Sequence, residues 1–142
     1  MRFTWCAPDR EATRAFLESH ARRFAPDGFA PWTAVLSGEN RVVGWGGLGR
    51  DPTAPQWGVE VAYFIDPAFA GRGLATELVG AALSLAFEEL ALPRVEAFVR
   101  PENAASVRVL EKAGLSRVRH VSELARDRYR IAAPAWRRRR AS

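Results

Sequence analysis

Cysteine occurs once, at Cys6, so no intrachain disulfide can form and the chain suits a reducing cytosol. Between Trp5 and Ala7 the thiol reads as a small buried hydrophobe rather than a nucleophile. Lys112 is the only lysine. No Gly-Lys-Ser/Thr sequence exists, which removes the P-loop from consideration. The two histidines, His20 and His120, are isolated and carry no role. No apolar run approaches the roughly 20 residues that cross a bilayer. Asp9, Arg10 and Glu11 interrupt the start Met1-Arg2-Phe3-Thr4-Trp5 before a signal-peptide core can develop. Internal repeats are also absent. These absences leave a cytoplasmic protein with no membrane contact.

What is present is ordinary globular composition, 48% hydrophobic and 26% charged over 142 residues, enough for one core. The formal charge is +5, and part of it sits in Arg137-Arg138-Arg139-Arg140. That run reads as a solvated basic tail, 137–142, after a domain spanning 1–136. A net positive field favours encounter with anions, either a nucleotide-bearing cofactor or RNA, and charge alone does not choose.

Hydrophobic period and punctuation give the order of elements. Pro8-Asp9-Arg10-Glu11 opens a helix that runs to about Arg23, and Pro26 and Gly28 end it. Trp32–Leu36 and Arg41–Leu48 read as a hairpin across Gly38-Glu39-Asn40. Val59–Ile65 is apolar on both faces, which predicts a central strand covered on both sides. Helix follows from Gly73 to about Leu90, then a strand over Arg94–Val99 and a helix over Asn103–Ala113 stopped by Gly114. Leu115–Ser122 and Arg128–Ala132 close the chain as paired strands. The sum is an α/β domain with a mixed sheet, not a strictly alternating Rossmann chain.

The chemistry concentrates where the central strand turns into its helix. Gly71 and Gly73 permit a tight turn whose N–H groups, with the helix dipole, favour a phosphate or pyrophosphate. Arg72 adds a pairing charge and Thr76 a hydroxyl in the first turn. Glycines also open helices for purely structural reasons. Thr76 stands where a dinucleotide fingerprint has its third glycine, so NAD(P) loses ground. Glu60 interrupts an apolar strand, and a carboxylate there has its pKa raised by desolvation unless an arginine pairs with it.

The stretch Glu60-Val61-Ala62-Tyr63-Phe64-Ile65-Asp66-Pro67-Ala68-Phe69-Ala70-Gly71-Arg72-Gly73-Leu74-Ala75-Thr76-Glu77 resembles the acetyl-CoA-binding motif of the GNAT superfamily of N-acetyltransferases. A second stretch, Arg94-Val95-Glu96-Ala97 through Pro101-Glu102-Asn103-Ala104-Ala105-Ser106 to Leu110-Glu111-Lys112-Ala113-Gly114-Leu115, resembles that superfamily's next motif. Together they are most similar to the branch of ribosomal-protein alanine and serine acetyltransferases. The resemblance implies a mixed, mostly antiparallel central sheet flanked by helices, with a shortened N-terminal region. It implies acetyl-CoA as cosubstrate, a primary amine as acceptor (a protein N-terminus or a small molecule), and no metal.

By the same resemblance, the backbone of Phe64 and Ile65 would bond the pantetheine arm. Gly71, Arg72, Gly73, Leu74, Ala75 and Thr76 would hold the pyrophosphate, and Asn103 would touch the cofactor while capping its helix. Glu60 would take the amine's proton. Many members protonate the departing thiolate with a tyrosine in the second helix; Leu110 stands there, and Ser106 is this branch's alternative. Ala70 replaces the usual Gln or Arg. The shortened start would be completed by a partner, as in a homodimer. Two other readings stand beside this one: a degenerate CoA binder without efficient turnover, and a basic RNA- or ribosome-binding module.

Overall fold

In the computed structural model, Asp9 opens the first helix α1 (Arg10–Ala21), its carboxylate accepting from the Ala12 N–H at 2.8 Å. The structure describes residues 9–22, 24–51 and 53–142, apart from the side chains of 16, 20 and 25. Cys6, Pro8 and the His20 side chain lie outside the described residues. Phe24 does not extend α1; it begins a separate short turn, α2 (Phe24–Asp27).

The strands β1 (Trp32–Leu36) and β2 (Arg41–Arg50) form the expected hairpin. They are followed by β3 (Val59–Ile65), the helix α3 (Leu74–Ser84) and β4 (Arg94–Val99). Then come α4 (Ala104–Ala113), β5 (Ser116–Val121), β6 (Arg126–Ala132) and α5 (Ala133–Ala141). The sheet order is β1-β2-β3-β4-β6-β5, and every neighbouring pair is antiparallel except β3 with β4.

The core lies between the sheet and α3 and α4: Val59 and Val61 of β3 meet Val79, Ala82 and Leu83 of α3, with Leu110 of α4 beside them. The second face of β3 is not closed in the same way. Ala62 is exposed and Phe64 only half-buried, so double coverage does not hold along the strand. An apolar run alone does not report whether a second layer of helices exists.

Two further differences from the sequence reading have local causes. The helix expected to continue to Leu90 widens into a π turn at Leu85–Glu89, where the Leu90 N–H reaches Leu85 O at 3.0 Å. The arginine run is not a free tail, because the boundary at Arg137 falls inside α5. Trp136 lies 5.3 Å from Phe87, the Arg139 guanidinium donates to the Lys112 carbonyl at 2.8 Å, and Arg140 pairs with Glu88 at 3.3 Å. Arg139 thus supplies a donor to the last turn of α4, where carbonyls lack helical partners.

Candidate functional site

A cleft opens between β3 and β4. Seven register pairs hold β3 to β2, yet a single pair, Glu60 with Glu96, joins β3 to β4. Past that pair the two strands diverge, and the β4-facing edge of β3 is free of a strand partner. Its identity follows from the alternation of antiparallel bonds. The Asp66 N–H bonds Val43 O at 2.8 Å, so the even-numbered residues of β3 turn their backbone groups to β2. Gly44 accommodates this: a Cβ there would collide with the Phe64 carbonyl. The free edge therefore presents backbone groups of Tyr63 and Ile65, while Phe64 is engaged with β2. Of the two residues expected to bond an arm through their backbone, Ile65 faces the opening, and Tyr63 takes the place foreseen for Phe64.

The turn into α3 lies at the end of this edge. Asp66 fixes its start by accepting from the Ala68 N–H at 2.9 Å. Gly71 and Gly73 both adopt left-handed backbone, φ 79° and 77°, and an added Cβ at either would meet no protein atom within 4 Å. Conformation, not crowding by the protein, thus fixes glycine at these positions. No backbone carbonyl among the described residues accepts from the N–H groups of Gly71 to Thr76, so they converge as open donors at the helix start. Two guanidinium groups flank them, Arg72 at 5.1 Å and Arg41 at 4.9 Å from the same Phe69 ring. This concentration of donors and positive charge suits a diphosphate.

Inside the cleft, Tyr63 of β3 and Ser106 of α4 meet on the helix side of the sheet. Asn103 caps α4 by accepting from the Ser106 N–H at 3.3 Å, which fixes where the serine sits. The Tyr63 hydroxyl is buried without a partner of hydrogen-bonding geometry. Burial raises its pKa, and the Ser106 hydroxyl beside it pulls the other way. The two hydroxyls are therefore close but not satisfied by one another, and Tyr63 stays a proton-bearing phenol. Leu110 is in the core, 2% exposed, and offers no proton.

The opposite face carries carboxylates. Glu96, 1% exposed, is held by Arg130 at 2.8 Å, Arg128 at 3.0 Å and Arg94 at 3.5 Å. Its register partner Glu60 has no ion pair or hydrogen bond with any described residue. Desolvation raises the Glu60 pKa to about 7, with Asp51 and Glu96 adding to the rise and Arg126 opposing it. The segment between β2 and β3 folds over this same face. Trp57 precedes β3 in sequence, yet its ring lies 5.4 Å from that of Phe98, and Arg128 stacks on it at 5.2 Å.

The two faces of one opening thus carry a raised carboxylate and, opposite it, the unpartnered Tyr63 hydroxyl beside that of Ser106, with an anion cradle at its end. Tyr63, Arg41, Arg126 and Trp57 were not foreseen as site residues. Tyr63 had a visible signal, being the one phenol in the strand and, with Glu60, one of its two polar side chains. The others are brought in by register and by loop folding. A cavity of about 540 Å³, lined by Phe24, Phe29, Trp32, Ala81, Leu85 and Glu89, lies toward the far end of α3 from the cradle. Among the described residues no His, Cys, Asp and Glu side chains gather as a metal site, and no helix is long and apolar enough to cross a membrane.

A family model described as an acetyltransferase (GNAT) domain matches residues 1–116. The chain is 45% identical over 71 residues to the "Probable N-acetyltransferase YjcK" of Bacillus subtilis (strain 168), covering 50% of this chain and 37% of that protein. Among solved structures, the acetyltransferase from Agrobacterium tumefaciens str. C58 is similar at a TM-score of 0.77 and 25% identity, over 87% of this chain and 72% of that one. The ribosomal-protein-S5-alanine acetyltransferase from Vibrio fischeri shares the fold at a TM-score of 0.71 and 17% identity, over 89% and 73%. The chain spans 37%, 62% and 34% of the length of three curated relatives that it matches.

Proposed function

The chain belongs to the GNAT family of acetyltransferases, and from that membership we propose that it moves an acetyl group from acetyl-CoA to a primary amine by direct attack. The observation that carries this reading is the placement of an unpaired, desolvated Glu60 and the Tyr63–Ser106 hydroxyls on opposite faces of a cleft that ends in open N–H donors.

In this reading the pyrophosphate lies on the N–H groups of Gly71, Arg72, Gly73, Leu74, Ala75 and Thr76, with Arg72 and Arg41 as counter-charges. The pantetheine arm runs along the free edge of β3 at Tyr63 and Ile65, and Asn103 borders it from α4. The thioester then sits in the cleft. Glu60, with its pKa near 7, accepts a proton from the incoming ammonium directly or through a water, freeing the nitrogen lone pair. That lone pair forms the new C–N bond, and the C–S bond breaks as the tetrahedral centre collapses. The departing thiolate takes a proton from the hydroxyl pair, with Ser106 nearest the role and Tyr63 poised behind it. The attacking nitrogen sheds its second proton as the amide forms, water relays that proton to the hydroxyl donor, and Glu60 loses the first proton to solvent.

The reading includes a cytoplasmic setting, supported by the single cysteine. It includes a homodimer, supported by the exposed apolar Val35 and Val42 on the β1–β2 hairpin. Leu110 and Ala70 favour the second reading, a CoA binder with poor turnover. The RNA-binding reading is weakened by Arg139 and Arg140, whose guanidinium groups are engaged within the domain.

Thermal unfolding with and without acetyl-CoA, with ATP and NAD as polyanion controls, tests the cofactor. Saturation at about 100 times the dissociation constant adds roughly 2.7 kcal/mol. A shift confined to acetyl-CoA is expected, and an equal shift with every polyanion would contradict the reading. Release of free CoA on adding amines then separates an active enzyme from a mere binder.

A further inference from the structure

The sheet face that carries Glu60 also carries a ladder of arginines. Alternation along β6 puts Arg126, Arg128 and Arg130 on that face, and Arg128 and Arg130 are opposite Phe98 and Glu96 in register. Two of the three have a carboxylate, since Arg128 and Arg130 both close on Glu96. Arg126 is next in the series and has none. It is half-buried at the start of β6 and makes no ion pair or hydrogen bond with any described residue. Its guanidinium has no acceptor among the described residues, and a carboxylate arriving there would supply one.

Its position matters as much as its lack of a partner. Arg126 is level with the open end of β4, beyond the last register pair, Val99 with Asp127. From Glu60 it is two strands across and four residues along, on the order of 16 Å between backbones at about 3.3 Å per residue and about 4.8 Å per strand. Its charge still acts on the Glu60 carboxylate without touching it. By alternation and register the Arg126 side chain lies on the face onto which the cleft opens. An acceptor approaching Glu60 from this face meets the guanidinium on one side and the edge of the Trp57–Phe98 pair on another.

We propose that the acceptor is an amine that also bears a carboxylate, an amino acid in the broad sense, with its amine at Glu60 and its carboxylate on Arg126. This rests on the acetyl-transfer reading above and narrows its acceptor. A polyamine would set further positive charge against Arg126, and a neutral peptide N-terminus would leave the guanidinium unpaired. A carboxylate forms the paired, bidentate contact that a planar guanidinium is shaped for.

The test is calorimetric titration of the chain, with and without bound CoA, using the protein amino acids, β-alanine and γ-aminobutyrate. Each is compared with its own amide, and putrescine serves as the polycation. CoA release from acetyl-CoA is followed with the same set. At least one acid is expected to bind about tenfold or more tightly than its amide. Arg126→Gln should abolish that ratio while leaving the amide and acetyl-CoA unchanged, and Arg126→Lys should restore part of it. Acids and amides binding alike, putrescine binding best, or an Arg126→Gln loss equal for both would overturn the proposal. Failure of acetyl-CoA itself to bind would instead overturn the acetyl-transfer reading on which it stands.

Discussion

Glu60 and Glu96 face one another across the single parallel pair joining β3 to β4, and arginine neutralises only one of them. Arg94, Arg128 and Arg130 all converge on Glu96, which satisfies a carboxylate buried at the root of the cleft. They are thereby kept from Glu60, whose pKa is free to rise under desolvation and the nearby negative charge of Asp51 and Glu96. Two identical side chains in register thus meet opposite surroundings, one paired with arginines and one left unpaired.

The first consequence is a stability that depends on pH through Glu60. Its folded pKa, about 7, lies above its ordinary 4.5. Below that ordinary value both states hold the proton and the difference vanishes. As pH rises toward 7 the unfolded chain ionises first, so the folded state loses stability, and the full cost is present above 7. Glu60→Gln removes a penalty of roughly 1–3 kcal/mol, the figure being reduced for partial solvation. Urea melts should show the variant more stable than the parent at pH 8 and equal to it at pH 4.

Glu96 acts instead through its ion pairs with Arg128 and Arg130. Glu96→Ala leaves Arg128 and Arg130 partly buried and uncompensated, and should cost about 3–5 kcal/mol in chemical denaturation. If the variant is studied at low temperature, where it remains folded, the released arginines and the lost negative charge both depress the Glu60 pKa. The acid limb of its activity should then move to lower pH.

The hydroxyl pair separates chemistry from packing. Ser106→Ala should lower kcat by about tenfold to a thousandfold if the serine donates to the thiolate, with little effect on acetyl-CoA binding. Tyr63→Phe removes a buried hydroxyl that has no partner, so its stability should be unchanged or slightly higher. A kcat loss with Tyr63→Phe comparable to that with Ser106→Ala, with no loss of stability, identifies the two as a relay.

Much of this arrangement was legible in the sequence, because it depends on local signals. The strand Val59–Ile65, the turn through Gly71 and Gly73 and the capped helix after Asn103 each have their own periodicity or punctuation, and the structure holds them at those positions. Glu60 stood out as a lone charge in an apolar strand. What could not be read is set by distant register. That Glu96, and not Glu60, receives the arginines depends on β6 pairing with β4, some thirty residues away in sequence. The stacking of Trp57 on Phe98 and Arg128, on the face that carries Glu60, depends on a loop that doubles back. The docking of α5 depends on Phe87, Lys112 and Glu88, none adjacent to the arginine run. The edge backbone groups of Tyr63 and Ile65, rather than Phe64, were decided by which residues β2 claims.

The cradle can be tested without any acceptor. Gly73→Ala puts a Cβ on left-handed backbone and should destabilise the free protein by about 1–2 kcal/mol through conformation alone, since no protein atom stands in its way. Arg41→Gln and Arg72→Gln should each weaken acetyl-CoA binding several-fold, and binding to the parent should fall with added salt. Affinity equal to the parent's in both arginine variants would place the pyrophosphate elsewhere.

The central claim is that Glu60 is the proton acceptor for amine attack, and the ratio of two pH profiles tests it most directly. CoA release would be followed for the parent chain and Glu60→Gln across pH 5.5 to 9 with one acceptor, so that the amine's own titration cancels in the ratio. The account predicts that the parent's advantage grows about tenfold per pH unit below about 7, levels above it, and reaches on the order of a hundredfold. A ratio that stays flat and near one across the whole range would contradict it.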